Sequence, residues 1–227
     1  MPDSISVIVM AFNEAAGIEA VVREIRGALD QVGLRSEIVI VDDGSADPTA
    51  EVAERLAKEV PDVRVVRHLE NQGLGGVYRT GFREAAHDLL TFFPADGQFP
   101  ASIIEQFVPL AAEFDLVLGY LPDRGGSPAA LLSHAERLLY RLMFGAFPRF
   151  QGIMLFRREI LDRIELTSAG RGWGVVMELI VRASRGGFRI RSEPTSWRPR
   201  AQGRSRVLNL ATIWSNFRQA VALLRRL

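Results

Sequence analysis

The sequence predicts an α/β chain with a mostly parallel central sheet flanked by helices. Short β-branched apolar runs alternate with segments whose apolar residues recur at helical spacing, the mark of strand–helix–strand units. The runs are mainly apolar at consecutive positions, such as 38–41 and 7–11, as strands covered on both faces are. Three of the first four runs end in polar clusters, at Asn13 and Glu14, Asp42 and Asp43, and Asp96 and Gln98. In parallel sheets of this kind, ligands bind beyond the carboxyl ends of the strands.

Residues 5–11 form the first predicted strand. Ile18, Val21, Val22, Ile25 and Leu29 make 18–32 an amphipathic helix, and 37–41 is a second buried strand. A turn at 42–45 leads to a helix over 48–59, with Asp47 as its N-cap and Pro48 at its first position. Residues 63–67 read as a strand, 75–86 as a helix and 88–93 as a fourth strand. Beyond Pro100 the pattern changes. Residues 103–114 are amphipathic, 115–119 a strand, and 121–128 a loop rich in Pro and Gly. A helix is predicted at 129–147, a strand at 152–156, a helix at 175–184, and an antiparallel edge strand at 188–193. In 207–227, Leu210, Trp214, Phe217, Val221 and Leu224 fall on one helical stripe. The expected organisation is one domain over 1–206 followed by this amphipathic helix.

Of the 227 residues, 48% are hydrophobic and none is cysteine, which excludes disulfides, thiolate zinc sites and thiol nucleophiles. The net charge of +1 argues against nucleic acid as a partner, yet it is unevenly spread. Residues 194–227 carry seven arginines and no acid, whereas 1–193 carry 21 basic and 27 acidic groups. A basic end on an acidic body suggests contact with phosphate or a membrane surface; a solvated tail is the plain alternative. The first ten residues lack the basic start of a secretory signal, and no stretch reaches the roughly 20 apolar residues of a membrane span. A cytoplasmic location is expected, with a peripheral position on the cytoplasmic face of a membrane.

The loop after the first strand, AFNEAAG, has no Gly-x-Gly-x-x-Gly, so it is not a dinucleotide fingerprint, and no P-loop occurs. Asp42-Asp43-Gly44-Ser45 sets two carboxylates on a tight turn, where they can accept hydrogen bonds from a base or ribose. Alternatively, Asp42 caps the turn and Asp43 is solvated. Asp96 and Gln98 offer hard oxygen ligands suited to Mg2+ or Mn2+ holding a diphosphate, or else form an Asx turn ended by Pro100. His68, His87 and His134 are scattered and read as surface or packing residues.

In order, SVIVMAFNE (6–14), IVIVDDGSADPT (38–49), NQGLGGVYRTGFREA (71–85), Asp96 with Gln98, and DLVLG (115–119) closely resemble the inverting family-2 glycosyltransferases of GT-A fold. MELIVRASRG (177–186) and RAQGRSR (200–206) narrow the likeness to the polyprenyl-phosphate sugar transferases, such as dolichol-phosphate mannose synthase. The resemblance runs over nearly the whole chain. It implies a nucleotide-sugar donor (GDP-mannose or a UDP-sugar), a polyprenyl phosphate acceptor, and a divalent cation, Mg2+ or Mn2+.

By resemblance, Phe12, Asn13 and Glu14 line the nucleotide pocket, and Asp43 with Asp42 reaches the base or ribose. Gly73 and Gly76 let the next helix approach the nucleotide. Asp96 and Gln98 match the metal positions. Arg124 matches the arginine of the acceptor loop, Ser133 the serine that contacts the lipid phosphate, and Glu178 an acidic residue near the sugar. Arg200, Ser205 and Arg206 match a basic loop that closes over the diphosphate.

The chain also departs from the pattern. Pro94 stands at the first acidic position of the family's Asp-x-Asp, FPRFQGIMLF (147–156) lacks the family's aspartate and cysteine, and Ala129 stands where an acceptor-binding arginine is common. Arg137 or Arg149 could take the place of that arginine. Two alternatives therefore stay open: a family-2 transferase with a non-lipid glycan acceptor, and a nucleotide-sugar binding protein without turnover. Many relatives continue into membrane helices, so the tail stripe fits a membrane surface, or else it packs on the domain or on a membrane-anchoring partner subunit.

Overall fold

The structure, a computed structural model, describes residues 2–122, 143–145, 147–199, 221, 223 and 224. The chain runs β1 (Ser4–Ala11), α1 (Ile18–Val32), β2 (Arg35–Asp42), α2 (Thr49–Glu59), β3 (Val63–Arg67), α3 (Gly73–Glu84), β4 (Leu89–Pro94) and α4 (Ser102–Phe107). A 3-10 turn (Pro109–Ala112), β5 (Leu116–Tyr120), β6 (Met154–Arg157), α5 (Glu159–Arg163), α6 (Gly174–Arg185) and β7 (Ile190–Pro194) follow. The predicted loop at 121–128, most of the predicted helix at 129–147 and nearly all of the tail helix lie outside the described residues. No described helix is long and apolar enough to cross a membrane.

All seven strands join one sheet in the order β3-β2-β1-β4-β6-β5-β7. β1 is buried along its whole length because both its faces are covered. Ile5, Val7, Val9 and Ala11 pack with Val22, Ile25 and Leu29 of α1. Ile8 and Met10 point the other way, into a core with Tyr78 and Phe82 of α3 and Leu179 and Ile180 of α6. The period of two along the strand thus feeds two cores, one per face.

Local chemistry sets the helix ends. α1 stops at Gly33, whose φ of 72° lets its N–H bond Leu29 O, a left-handed cap that glycine adopts without penalty. α2 opens one residue later than expected, at Thr49 with Pro48 rather than Asp47 at its N-cap, although the Asp47 carboxylate does accept the Thr49 N–H at 3.0 Å. The amphipathic segment 103–114 is two elements: α4 gives way to the 3-10 turn at Pro109, which has no N–H to continue the helix.

One expectation about the sheet is corrected. The last strand is an edge strand, but β7 pairs with β5 in parallel. The antiparallel strand is β6, inserted between β4 and β5. After β6 the chain forms the unpredicted helix α5 and then climbs back to the strand carboxyl ends, where Arg171 bonds Asn71. α6 therefore descends, and β7 must ascend alongside β5, as a crossover helix dictates.

Candidate active site

Sheet register brings the three polar clusters level. Ala11 pairs with Asp42, and Met10 pairs with Pro94. Past those pairs the ladder continues through Asp43 N–H to Ala11 O, Ala95 N–H to Met10 O and His68 N–H to Asp42 O, each at 2.9 Å. Because β2 lies on one side of β1 and β4 on the other, this is the topological switch point, where open α/β sheets carry their ligand crevice.

The loops after β1 and β2 are tied together. Asn13 takes a left-handed φ of 57°, rare for a residue with a side chain. It is held there on both sides: its N–H donates to Ser45 Oγ at 2.9 Å, and its Oδ1 accepts the Ala46 N–H at 2.8 Å. Glu14 N–H donates to Thr49 Oγ1 at 2.8 Å, and Ala15 N–H to Asp47 Oδ2 at 3.2 Å. Phe12 and Glu14 are half-buried on the same loop. Ser45, Asp47 and Thr49 thus build this loop, a role that reading β1 and β2 separately misses.

Asp42 and Asp43 are both buried, and their environments differ. Asp42 Oδ1 accepts from the Ser45 hydroxyl and from the Ser45 N–H. Its Oδ2 has no hydrogen-bond partner, and Arg67 Nε lies 3.5 Å away. Asp43 Oδ1 meets His68 Nδ1 at 2.7 Å and the Gln72 N–H at 2.8 Å. Its Oδ2 accepts from Asn71 Nδ2 and from the Gly73 N–H, both at 2.9 Å. The carboxylate therefore sits at the N-terminus of α3, where the helix dipole favours negative charge.

Gly73 has φ 73°, and a Cβ there would lie 2.7 Å from Arg171 O; a Cβ on Gly75 would lie 2.1 Å from Gly170 O. These two glycines let the 170–172 backbone lie against α3. At Gly76 a Cβ would meet the Gln72 side chain instead.

At the end of β4, Gly97 has φ 71° and Gln98 N–H donates to Asp96 Oδ1 at 3.1 Å, an Asx turn. Asp96 and Gln98 are both half-buried. Among the described residues no group of three or more His, Cys, Asp or Glu is placed to hold a metal. One carboxylate and one amide oxygen nonetheless fit Mg2+ or Mn2+, which keep several positions for water and substrate phosphate. Arg198 N–H donates to Gln98 O at 2.8 Å, so the chain enters its arginine-rich stretch beside this turn.

Glu178, on α6, is fully buried. It accepts from the Thr167 N–H and Oγ1, the Ser168 N–H at 2.7 Å and Arg182 Nε at 2.8 Å. Burial pushes its carboxyl up, but the hydrogen bonds from Ser168, Thr167 and Arg182 outweigh that and hold it below the usual glutamate range. Arg79 adds a bond to Gly170 O at 3.0 Å, so α3 and α6 together pin the 167–171 segment. Arg124, Ser133, Arg137, Arg200, Ser205 and Arg206 lie outside the described residues, as does Ala129. Arg149 is described, with its guanidinium 5.2 Å from the centre of the Tyr120 ring.

Residues 6–165 match the profile of Glycosyl transferase family 2. The chain belongs to that family. Over 97% of its length it is 28% identical to a dolichol-phosphate mannosyltransferase of Pyrococcus furiosus, and it spans 64% of that protein. It is also 28% identical, over 88% of its length, to an undecaprenyl-phosphate mannosyltransferase of Micrococcus luteus, of which it spans 86%. A glucosyl-3-phosphoglycerate synthase from Mycobacterium tuberculosis, crystallised with Mn2+, UDP and phosphoglyceric acid, has a TM-score of 0.71 at 22% identity. That match covers 98% of this chain and 77% of the other. The fold of this family-2 glycosyltransferase domain is GT-A, with β6 as the one antiparallel strand among those described.

Proposed function

We propose that the chain transfers a sugar from a nucleoside-diphosphate donor, GDP-mannose or a UDP-sugar, to a polyprenyl phosphate with inversion at the anomeric carbon. The observation that carries this reading is the Asx turn of Asp96 and Gln98 at the switch point, with Arg198 bonded to Gln98. That placement supports a site where a diphosphate has oxygen ligands on one side and the Arg200–Arg206 stretch on the other. The named activities of the Pyrococcus and Micrococcus relatives favour a lipid-phosphate acceptor.

Asp96 and Gln98 would hold a divalent cation, Mg2+ or Mn2+, which when bound neutralises charge on the diphosphate. The 12–14 loop, the 42–45 turn and the glycine-rich start of α3 form the walls for the nucleoside. Arg200, Ser205 and Arg206 close on the leaving diphosphate, and Arg124 and Ser133 receive the acceptor phosphate. A lipid phosphate is already an anion, so alignment and leaving-group stabilisation supply most of the rate and no strong base is needed. The state of Glu178 accords with this: its carboxylate is engaged by four donors, which suits a group that positions the 167–171 segment better than a base. The tail helix would keep the site against the cytoplasmic face of a membrane, alone or with an anchoring subunit.

A panel of UDP, GDP and their sugars with Mg2+ or Mn2+ tests the donor, since a ligand specific to the native state raises its thermal midpoint. Transfer from the stabilising donor to polyprenyl phosphate is expected, and its loss in Asp96→Ala. Full transfer by Asp96→Ala with every donor and cation would sink the reading. Transfer to a free glycan and none to polyprenyl phosphate would move the acceptor to the non-lipid class, and binding without turnover would leave a binding protein.

A further inference from the structure

The sequence offers no role for His68, yet it is buried beside the nucleotide walls with both ring nitrogens engaged. Nδ1 lies 2.7 Å from Asp43 Oδ1, and Nε2 lies 2.9 Å from Thr80 Oγ1. His68 follows β3, Asp43 follows β2 and Thr80 is on α3, so the ring joins three elements that meet at the crevice.

A carboxylate offers about four lone-pair sites. All four on Asp43 are taken: His68 Nδ1 and the Gln72 N–H on Oδ1, Asn71 Nδ2 and the Gly73 N–H on Oδ2. What Asp43 holds is the 71–73 turn, the backbone that opens α3. The 42–45 turn is fitted to the same strip: Gly44 has φ 69°, and a Cβ there would sit 2.7 Å from the Glu70 carbonyl carbon and 2.8 Å from the Asn71 nitrogen.

We infer that His68 is a positioning residue for the donor nucleotide, which with Asp43 fixes the 71–73 turn that opens α3 beside the proposed nucleoside site. With Nδ1–H donated to Asp43, neutral His68 accepts the Thr80 hydroxyl at Nε2; when protonated it donates at both. In either state the bond to Asp43 persists. This inference rests on the proposed nucleotide site.

Two near-isosteres separate the two ring contacts. In His68→Asn the amide nitrogen takes the place of Nδ1 and keeps the Asp43 bond while losing Thr80. In His68→Gln it takes the place of Nε2 and keeps Thr80 while losing Asp43. UDP and GDP binding with Mn2+ is measured by calorimetry on the full chain, alongside thermal midpoints. His68→Asn is expected to bind within about twofold of the parent and His68→Gln about tenfold more weakly, at matched midpoints. A general structural role would weaken the two in step with their midpoints. Equal Kd values in the two variants, or weaker binding by His68→Asn, would overturn the inference. A parent chain that binds neither nucleotide would instead overturn the site reading on which it rests.

Discussion

The backbone N–H of Arg198 donates to the carbonyl of Gln98 at 2.8 Å, across the gap between the segment after β7 and the turn after β4. The Arg198 guanidinium also pairs with Glu24 at 3.0 Å, so its charge already has a carboxylate partner. In the proposed site, charge for a diphosphate comes from later in the stretch. Arg206→Ala is expected to weaken UDP or GDP binding about tenfold, the scale of one charge-assisted hydrogen bond. Calorimetry at low and at high salt checks this, because the lost contribution should shrink as ions screen it. Equal affinity of parent and variant at low salt would place the basic stretch elsewhere.

Pro94 occupies the last position of β4, two residues before Asp96 and opposite Met10. Asp96 lies in the turn just beyond the strand, and the spacing is that of the family's Asp-x-Asp, so an acidic residue at 94 is expected to add a second carboxylate beside Asp96. Pro94→Asp is expected to lower the Mn2+ concentration for half-maximal transfer roughly tenfold, since ligand charge tunes affinity for hard cations. An unchanged Mn2+ dependence would mean that position 94 does not face the cation.

Gly75 and Gly27 give opposite expectations for the same substitution. A Cβ at Gly75 would meet Gly170 O at 2.1 Å and Gly172 O at 2.9 Å, and Arg79 holds Gly170 O in place. Gly75→Ala should cost about 1–3 kcal/mol through overpacking. Gly27 lies within α1, and a methyl added there would have nothing within 4 Å, so Gly27→Ala should gain up to about 1 kcal/mol of helix propensity. Urea denaturation of the pair reads both signs.

Much of this was legible in the residues. The helix over 18–32 carries its stripe and its glycine stop in sequence, and the three polar strand ends come together as the strand-end rule requires. Less legible was whatever depends on distant partners. β7 runs parallel because the 164–173 segment returns to the far end of the sheet, and no local pattern encodes that return. His68 follows a strand end as directly as Asp43 does, so extending the strand-end rule to β3 would have found it. The importance of Gly75 over Gly76 is set by Gly170, 95 residues away in the chain.

The tail gives a prediction of its own. Leu224 belongs to the apolar stripe and is 41% exposed, whereas Leu223, off that stripe, is buried. An exposed leucine in a segment whose sequence also carries Arg218, Arg225 and Arg226 suits an anionic lipid surface. Removing residues 207–227 should reduce co-sedimentation with anionic vesicles, most clearly at low salt. Undiminished sedimentation would sink the membrane role and leave the stripe to pack on the domain or on a partner subunit.

Glu178 links the site to acid stability. Folding favours its charged form, so its folded-state pKa is the lower one and the unfolded chain takes up the proton first as pH falls. Its stabilisation is complete above the ordinary glutamate range, and it fades as pH drops through that range toward the folded value. In Glu178→Gln the amide NH2 must face one of the Thr167 or Ser168 donors, and Arg182 loses its anionic partner, at a cost of about 2–3 kcal/mol at neutral pH. Glu37, Asp47, Asp88 and Asp115 are also held low and titrate in both proteins. The difference between the two stability curves therefore isolates Glu178: it should be widest at neutral pH and narrow on acidification. A gap that stays constant from neutral pH down to the acid limb would show that the carboxylate is not the group being protonated.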